Sequence, residues 1–209
     1  MINHKYKFIF MHIPKTAGAS IEKSLSELDE TEDVSLMMQL KRERYIARTL
    51  CDHIDYLYFM FVRNPYDRLV SVYRHSMRKR RRFPRLDFTD WLIAIEDFFK
   101  NRIDDGRLST FDKRHARSQS LYIPQENKMY FGTTIKTKPE NMIVGKFENL
   151  SKEYSNITKK IGKTLELPHE DWGSKNKVDI NEYYTERARE IVLNLYSEDF
   201  DTLGYNRKL

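Results

Sequence analysis

The stretch FIFMHIPKTAGAS, residues 8–20, decides the fold. Its apolar run, Phe8 to Met11, is the pattern of a buried strand, because four consecutive apolar side chains leave neither face for water. The run breaks at Pro14 into a short polar loop holding Lys15 and Gly18, and an amphipathic helix is predicted to start near Ser20. Strand, tight loop and helix together aim backbone N–H groups at an anion beyond the strand end. Lys15 adds a movable positive charge to that loop, and Thr16 and Ser20 add hydroxyl donors. The spelling is not that of a Walker A loop, in which the lysine follows the second glycine of GxxxxGK[ST]. Here Lys15 precedes the only glycine of the stretch, which keeps the physics of phosphate cradling and points away from ATP or GTP.

A second stretch supports the first. Tyr56 to Val62 (YLYFMFV) is apolar, aromatic and β-branched throughout, as expected of a strand buried on both faces. Arg63-Asn64-Pro65 follows at once, and Pro65 suits a first helical turn, where its missing N–H is not needed. Leu69, Val70 and Tyr73 continue at helical spacing. Arg63 is thus placed at the carboxyl end of a central strand, where open α/β sheets bind ligands. Its planar fork suits a phosphate, and Ser71 adds a hydroxyl two turns into the helix.

These residues carry a resemblance. HIPKTAGAS resembles the 5′-phosphosulfate loop of the sulfotransferases, and FVRNPYDRLVSVY resembles their 3′-phosphate site. HARSQ (115–119), IVGKFENL (143–150) and YYTERAREIVLNLYSEDFDTLGY (183–205) are similar to segments of the bacterial and carbohydrate group, so the resemblance runs from about Phe8 to Tyr205. It implies an α/β fold of the P-loop NTPase-like kind, a three-layer parallel sheet with flanking helices. It implies 3′-phosphoadenosine 5′-phosphosulfate as donor, no metal, and a hydroxyl acceptor, often on a sugar. The donor would lie on Lys15, Thr16, Ala17, Gly18, Ala19 and Ser20 at its 5′ end, and on Arg63 and Ser71 at its 3′-phosphate. A late basic loop, with Ser174 and Lys175, would close over that 3′-phosphate. His115, Arg117 and Gln119 would form an acceptor patch.

Lys15 is the leading catalytic residue, since an ammonium aimed at the leaving oxygen stabilises charge that grows in the transition state. The base is open. Related carbohydrate sulfotransferases often use a histidine between the first helix and the arginine strand, and KRERYIAR (41–48) aligns there without one. Glu43 within that segment and His53 nearer the strand are the two candidates. His12 is read as structural.

The chain has 209 residues, a hydrophobic fraction of 40% and a charged fraction of 33%, which together describe one globular domain spanning 1–209 rather than a disordered chain. Lys and Arg number 37 against 31 Asp and Glu, a formal charge of +6 that favours anionic ligands. The single cysteine, Cys51, excludes an internal disulfide and is expected to be buried before the second strand. No histidine pair has helical metal-ligand spacing. No apolar run approaches a membrane span, and the expectation is a cytoplasmic protein. The run Arg78-Lys79-Arg80-Arg81-Arg82, with Arg85, is read first as a solvated helix end, then as a surface for an anionic acceptor such as an acidic glycan, and last as a nucleic-acid contact. No nucleic-acid motif accompanies it. Helices are predicted at Pro65 to Arg81, Phe88 to Asn101, Leu150 to Leu165 and Asn181 to Leu195, the last on the sheet, with a strand at Met142 to Phe147 and irregular chain from Gly106 to Gln125. Two other classes remain. One is a P-loop-type nucleotide kinase, disfavoured by the missing Walker A spelling and magnesium aspartate. The other is a non-catalytic nucleotide- or polyanion-binding protein.

Overall fold

The computed structural model describes residues 1–33, 39–79, 85–168 and 178–209. In chain order the elements are β1 (Ile2–Asn3), β2 (Phe8–Met11), α1 (Gly18–Leu25), β3 (Thr31–Glu32), α2 (Gln39–Asp52), β4 (Leu57–Val62), α3 (Pro65–Lys79), α4 (Phe88–Glu96), α5 (Thr110–His115), β5 (Met129–Tyr130), β6 (Thr133–Thr134), β7 (Asn141–Lys146), α6 (Leu150–Lys160), α7 (Glu186–Leu195) and α8 (Ser197–Leu203). The chain divides into two compact units, Met1–Val62 with Leu121–Glu170, and Arg63–Ser120 with Asp171–Leu209.

The first unit holds a five-stranded sheet in the order β3-β1-β2-β4-β7. β2, β4 and β7 are parallel, with Phe8 opposite Leu57 and Val62 opposite Lys146. The expected all-parallel sheet is corrected at one edge, where β1 pairs antiparallel with both β2 and β3. The cause is local: Asn3 Oδ1 accepts from Tyr6 N–H at 2.7 Å and Lys7 adopts φ +50°, so the chain reverses within a few residues. Two-residue strands of this kind leave no period to read.

Phe8, Phe10, Phe59 and Phe61 bury one sheet face against Ile21 and Leu25 of α1 and Tyr154, Ile157 and Ile161 of α6. Each fully buried aromatic contributes about 1.5–3 kcal/mol. Gly145 faces Phe61, whose ring would lie 2.6 Å from any Cβ added there. The alternate side chains serve the other face, against which α2 packs on β2. There Tyr58 and Tyr130 share a hydroxyl–hydroxyl bond of 2.5 Å. Cys51, expected inside, is exposed on the last turn of α2.

The second unit is helical. Tyr66, Leu69, Trp91, Ile95, Ala188, Ile191, Tyr196 and Phe200 form its core. α7 thus turns its buried face to a helical core rather than to the sheet as expected, and it packs on α4. Asp87 caps α4 by accepting from Asp90 N–H, and the helix widens into a π turn over Asp97–Asn101. The stretch read as irregular contains α5, closed by a capping box between Ser109 and Asp112. Burial would raise the Asp112 carboxyl, but bonds from Ser109 and Trp91 hold it below the usual range.

Candidate functional site

The loop between β2 and α1 belongs to the first unit. Lys15 and Ala17 both adopt positive φ, +70° and +64°. A non-glycine residue there costs on the order of 1–3 kcal/mol, and such outliers gather at functional sites. Backbone turned this way makes a concavity of N–H groups suited to an anion. α1 begins directly at Gly18, with no side-chain cap and no acidic residue in its first turn. Its start is therefore set for a negative ligand. The helix begins two residues earlier than the sequence implied, which brings Gly18, Ala19 and Ser20 into its first turn. Thr16 is fully buried and its hydroxyl donates to Ile13 O at 2.9 Å, so the expected hydroxyl donor instead closes the loop from within. Lys15 is half-buried, Ala19 is exposed and Ser20 is half-buried.

Behind the loop stands a brace that spacing did not reveal. A Cβ on Gly18 would fall 2.0 Å from the His12 ring, so glycine is required by contact. His12 Nδ1 lies 3.1 Å from Glu22 Oε2, near enough for an ion pair although off the axis of a hydrogen bond. Arg42 Nη1 approaches Glu22 Oε1 at 3.5 Å. Burial pushes the Glu22 carboxyl up, but His12 and Arg42 outweigh it and hold it below its ordinary value. His12 is thus structural, as read. Glu22 and Arg42 had no sequence signal, because their partners come from different elements.

Of the two expected bases, His53 lies at the opposite strand end from Lys15 and Glu43 is enclosed. His53 precedes the amino end of β4, stacked on Tyr56 at 4.5 Å and edge-on to His4 at 5.1 Å. Lys15 follows the carboxyl end of β2, which runs parallel to β4. The length of β4, about 20 Å at ~3.3 Å per residue, separates the two ends. Glu43 is only 1% exposed and accepts from the Tyr122 hydroxyl at 3.3 Å. So placed, the Glu43 carboxylate is enclosed rather than open to solvent.

In the second unit, Asn64 opens α3: its Oδ1 accepts from Tyr66 N–H at 2.9 Å and its carbonyl from Arg68 N–H at 2.9 Å. Asp67 and Ser71, four residues apart, share one stripe of α3, and Arg63 stands just before the helix. Arg63 Nη2 lies 4.0 Å from Asp67 Oδ1, the limit of an ion pair. Arg68 is fully buried and donates to His115 O at 2.9 Å and Arg117 O at 2.6 Å.

The structure brings His115, Arg117 and Gln119 together on one braced segment. His115 stacks on Phe111 at 3.7 Å, and its Nδ1 lies 2.9 Å from Phe111 O. A carbonyl only accepts, so Nδ1 is the donor in this contact. Gln119 is fully buried, with its amide bonded to the main chain of Arg63. The expected acceptor-patch residue is thus turned inward, toward Arg63. Ser174 and Lys175 lie outside the described residues, as do Arg80 to Arg82. Among the described residues no group of three or more His, Cys, Asp and Glu converges as for a metal, and no helix is long and apolar enough to cross a membrane.

The family model described as "Sulfotransferase family" matches residues 1–206 of the chain. No curated protein matches it, and no solved structure does.

Proposed function

As this chain belongs to the sulfotransferase family, we propose that its donor is 3′-phosphoadenosine 5′-phosphosulfate and its acceptor a carbohydrate hydroxyl. Membership makes it an enzyme of sulfuryl transfer and sets aside the kinase reading. The observation that carries the donor assignment is the loop itself: positive φ at Lys15 and Ala17, leading into a helix start without a side-chain cap. In this reading the chain is one P-loop-like sulfotransferase domain working in the cytoplasm, and it needs no metal. Lys15 and the backbone from Thr16 to Ser20 take the 5′-phosphosulfate. Arg63 and Ser71 take the 3′-phosphate.

The acceptor oxygen attacks sulfur in line, the bond from sulfur to the 5′-phosphate oxygen breaks, and the adenosine bisphosphate leaves. Negative charge grows on that oxygen, where the Lys15 ammonium and the loop N–H groups stabilise it more than they stabilise the bound donor. The acceptor proton goes to a base, and the candidate carried forward is His115 of the expected acceptor patch, whose Nδ1 lies 2.9 Å from Phe111 O. The acceptor is taken as a saccharide, preferably acidic, and an open surface hollow lined by Tyr73, Met77, Leu86, Arg78 and Arg85 sets an aromatic wall beside two guanidinium groups of the kind such an acceptor needs. Nucleic acid has no comparable support.

The test is transfer of radiolabelled sulfate from the donor to panels of neutral and acidic oligosaccharides, lipids and phenols. Labelling of a saccharide, with an acid limb of the pH–rate profile that His115→Gln removes, is the expected result. Labelling of phenols or lipids alone overturns the acceptor, and an unchanged acid limb overturns His115.

A further inference from the structure

The reading of Arg63 as the 3′-phosphate ligand leaves open what holds that arginine in place. We infer that Gln119 is a positioning residue that fixes Arg63 for the phosphate, and that Asp199 fixes Gln119. This inference rests on the proposed role of Arg63.

Arg63 is the first residue after β4, whose pairing with β7 ends at Val62 opposite Lys146. The strand ladder therefore stops just before it, and its main-chain groups need other partners. Gln119 supplies both. Its Oε1 accepts from Arg63 N–H at 2.9 Å, and its Nε2 donates to Arg63 O at 2.8 Å. The amide stands in for a neighbouring strand, and two bonds to one residue fix the backbone from which the guanidinium departs. Only this orientation of the amide sets acceptor against N–H and donor against carbonyl.

Gln119 is held in turn. Asp199 of α8 is fully buried and accepts from Gln119 N–H at 2.9 Å, from Ser120 N–H at 2.8 Å and from the Ser118 hydroxyl. Its Oδ2 also lies 3.5 Å from Gln119 Nε2. The residues just before are fastened as well: Arg68 binds the carbonyls of His115 and Arg117, and the Tyr196 hydroxyl binds Ala116 O at 2.6 Å. Every residue from His115 to Ser120 is thus tied down, and the segment presents one buried amide to one arginine. Glutamate at 119 has nearly the same shape, but it lacks the donor for Arg63 O and sets a second carboxylate against Asp199.

A purely structural Gln119 would affect stability and all ligands alike. A positioning Gln119 affects only what Arg63 reads. The experiment is titration calorimetry of the full chain with 3′-phosphoadenosine 5′-phosphate and with adenosine 5′-monophosphate, which lacks the 3′-phosphate. The ratio of the two affinities is the readout, measured for the unaltered protein, R63A, Q119E and the R63A/Q119E pair. R63A is expected to collapse the ratio. Q119E is expected to lower it about 10-fold with monophosphate affinity nearly unchanged, since small misplacement of a charged fork loses much of its bond. The pair is expected to match R63A alone. A ratio that Q119E leaves intact, or equal weakening of both ligands, overturns the clamp while Arg63 stands. A ratio that R63A leaves intact overturns the Arg63 reading and the clamp with it. If Q119E does not fold, D199N is read by the same ratio, and an unaltered ratio there overturns the inference.

Discussion

From Pro14 to Ala17 the chain bends itself into shape, with positive φ at Lys15 and Ala17 and Gly18 pressed on the His12 ring. Arg63 is instead held by the side chain of Gln119, 56 residues further along. One proposed anion determinant is built from consecutive residues and the other from a distant brace. Damage to the loop should therefore appear in catalysis and local stability together. Damage around Arg63 should divide between residues that touch the ligand and residues that aim them.

The largest effect expected is on the loop. Lys15→Ala should lower kcat by about 10²–10³, the usual loss for a donor aimed at developing charge, while binding of the product bisphosphate weakens far less. A steady-state assay with a product titration checks this. Arg63→Ala should do the reverse, weakening bisphosphate binding by roughly 10- to 100-fold, because a charge-assisted bond contributes about 1.5–3 kcal/mol. Its melting temperature should stay near that of the unaltered protein. Gly18→Ala comes next: its methyl must displace the His12 ring, at about 1–3 kcal/mol for an overpacked site. Denaturant unfolding should show that loss, with lowered activity beside it.

The brace behind the loop gives a pH signature. The Glu22 carboxyl is held below its ordinary value of 4.5, mainly against burial, by His12 and Arg42. A carboxylate depressed in the folded state contributes stability that is full above the unfolded value and is lost as pH falls through the folded one. Glu22→Gln should therefore be less stable by roughly 1–2 kcal/mol near neutrality, and the gap should close in acid below about pH 4.5. The smallest effect is expected from His53→Ala, which removes a stack on Tyr56 of about 0.5–1.5 kcal/mol and leaves turnover unchanged. A fall in turnover there would reopen the far end of β4 as part of the site.

The sequence made the loop legible because everything needed for it lies within residues 8–20: apolar strand, Pro14, Lys15, Gly18 and helix. The parallel strands were legible for the same reason, since Tyr56 to Val62 is apolar without interruption. The hairpin edge was not, because Ile2–Asn3 and Thr31–Glu32 are too short to show alternation. Burial of Arg68 ran against its residue type. It became possible only because two backbone carbonyls from another segment lie within its reach. The burial of Gln119 and Glu43 was not legible for a related reason: both are polar residues placed inside by long-range partners such as Asp199 and Tyr122. Local pattern reports local structure, whereas the aim of a buried polar side chain depends on residues far away in the chain.

The central claim is a nucleotide with phosphate at both its 5′ and 3′ ends, and thermal unfolding with different nucleotides tests it most directly. At about 100-fold excess over Kd, a ligand bound only by the folded state adds roughly 2.7 kcal/mol, which for a chain of this length corresponds to about 5–10 °C in Tm. 3′-Phosphoadenosine 5′-phosphate is expected to give such a shift, and ADP and ATP at the same concentration much less. Equal shifts from ATP and the bisphosphate would contradict the account.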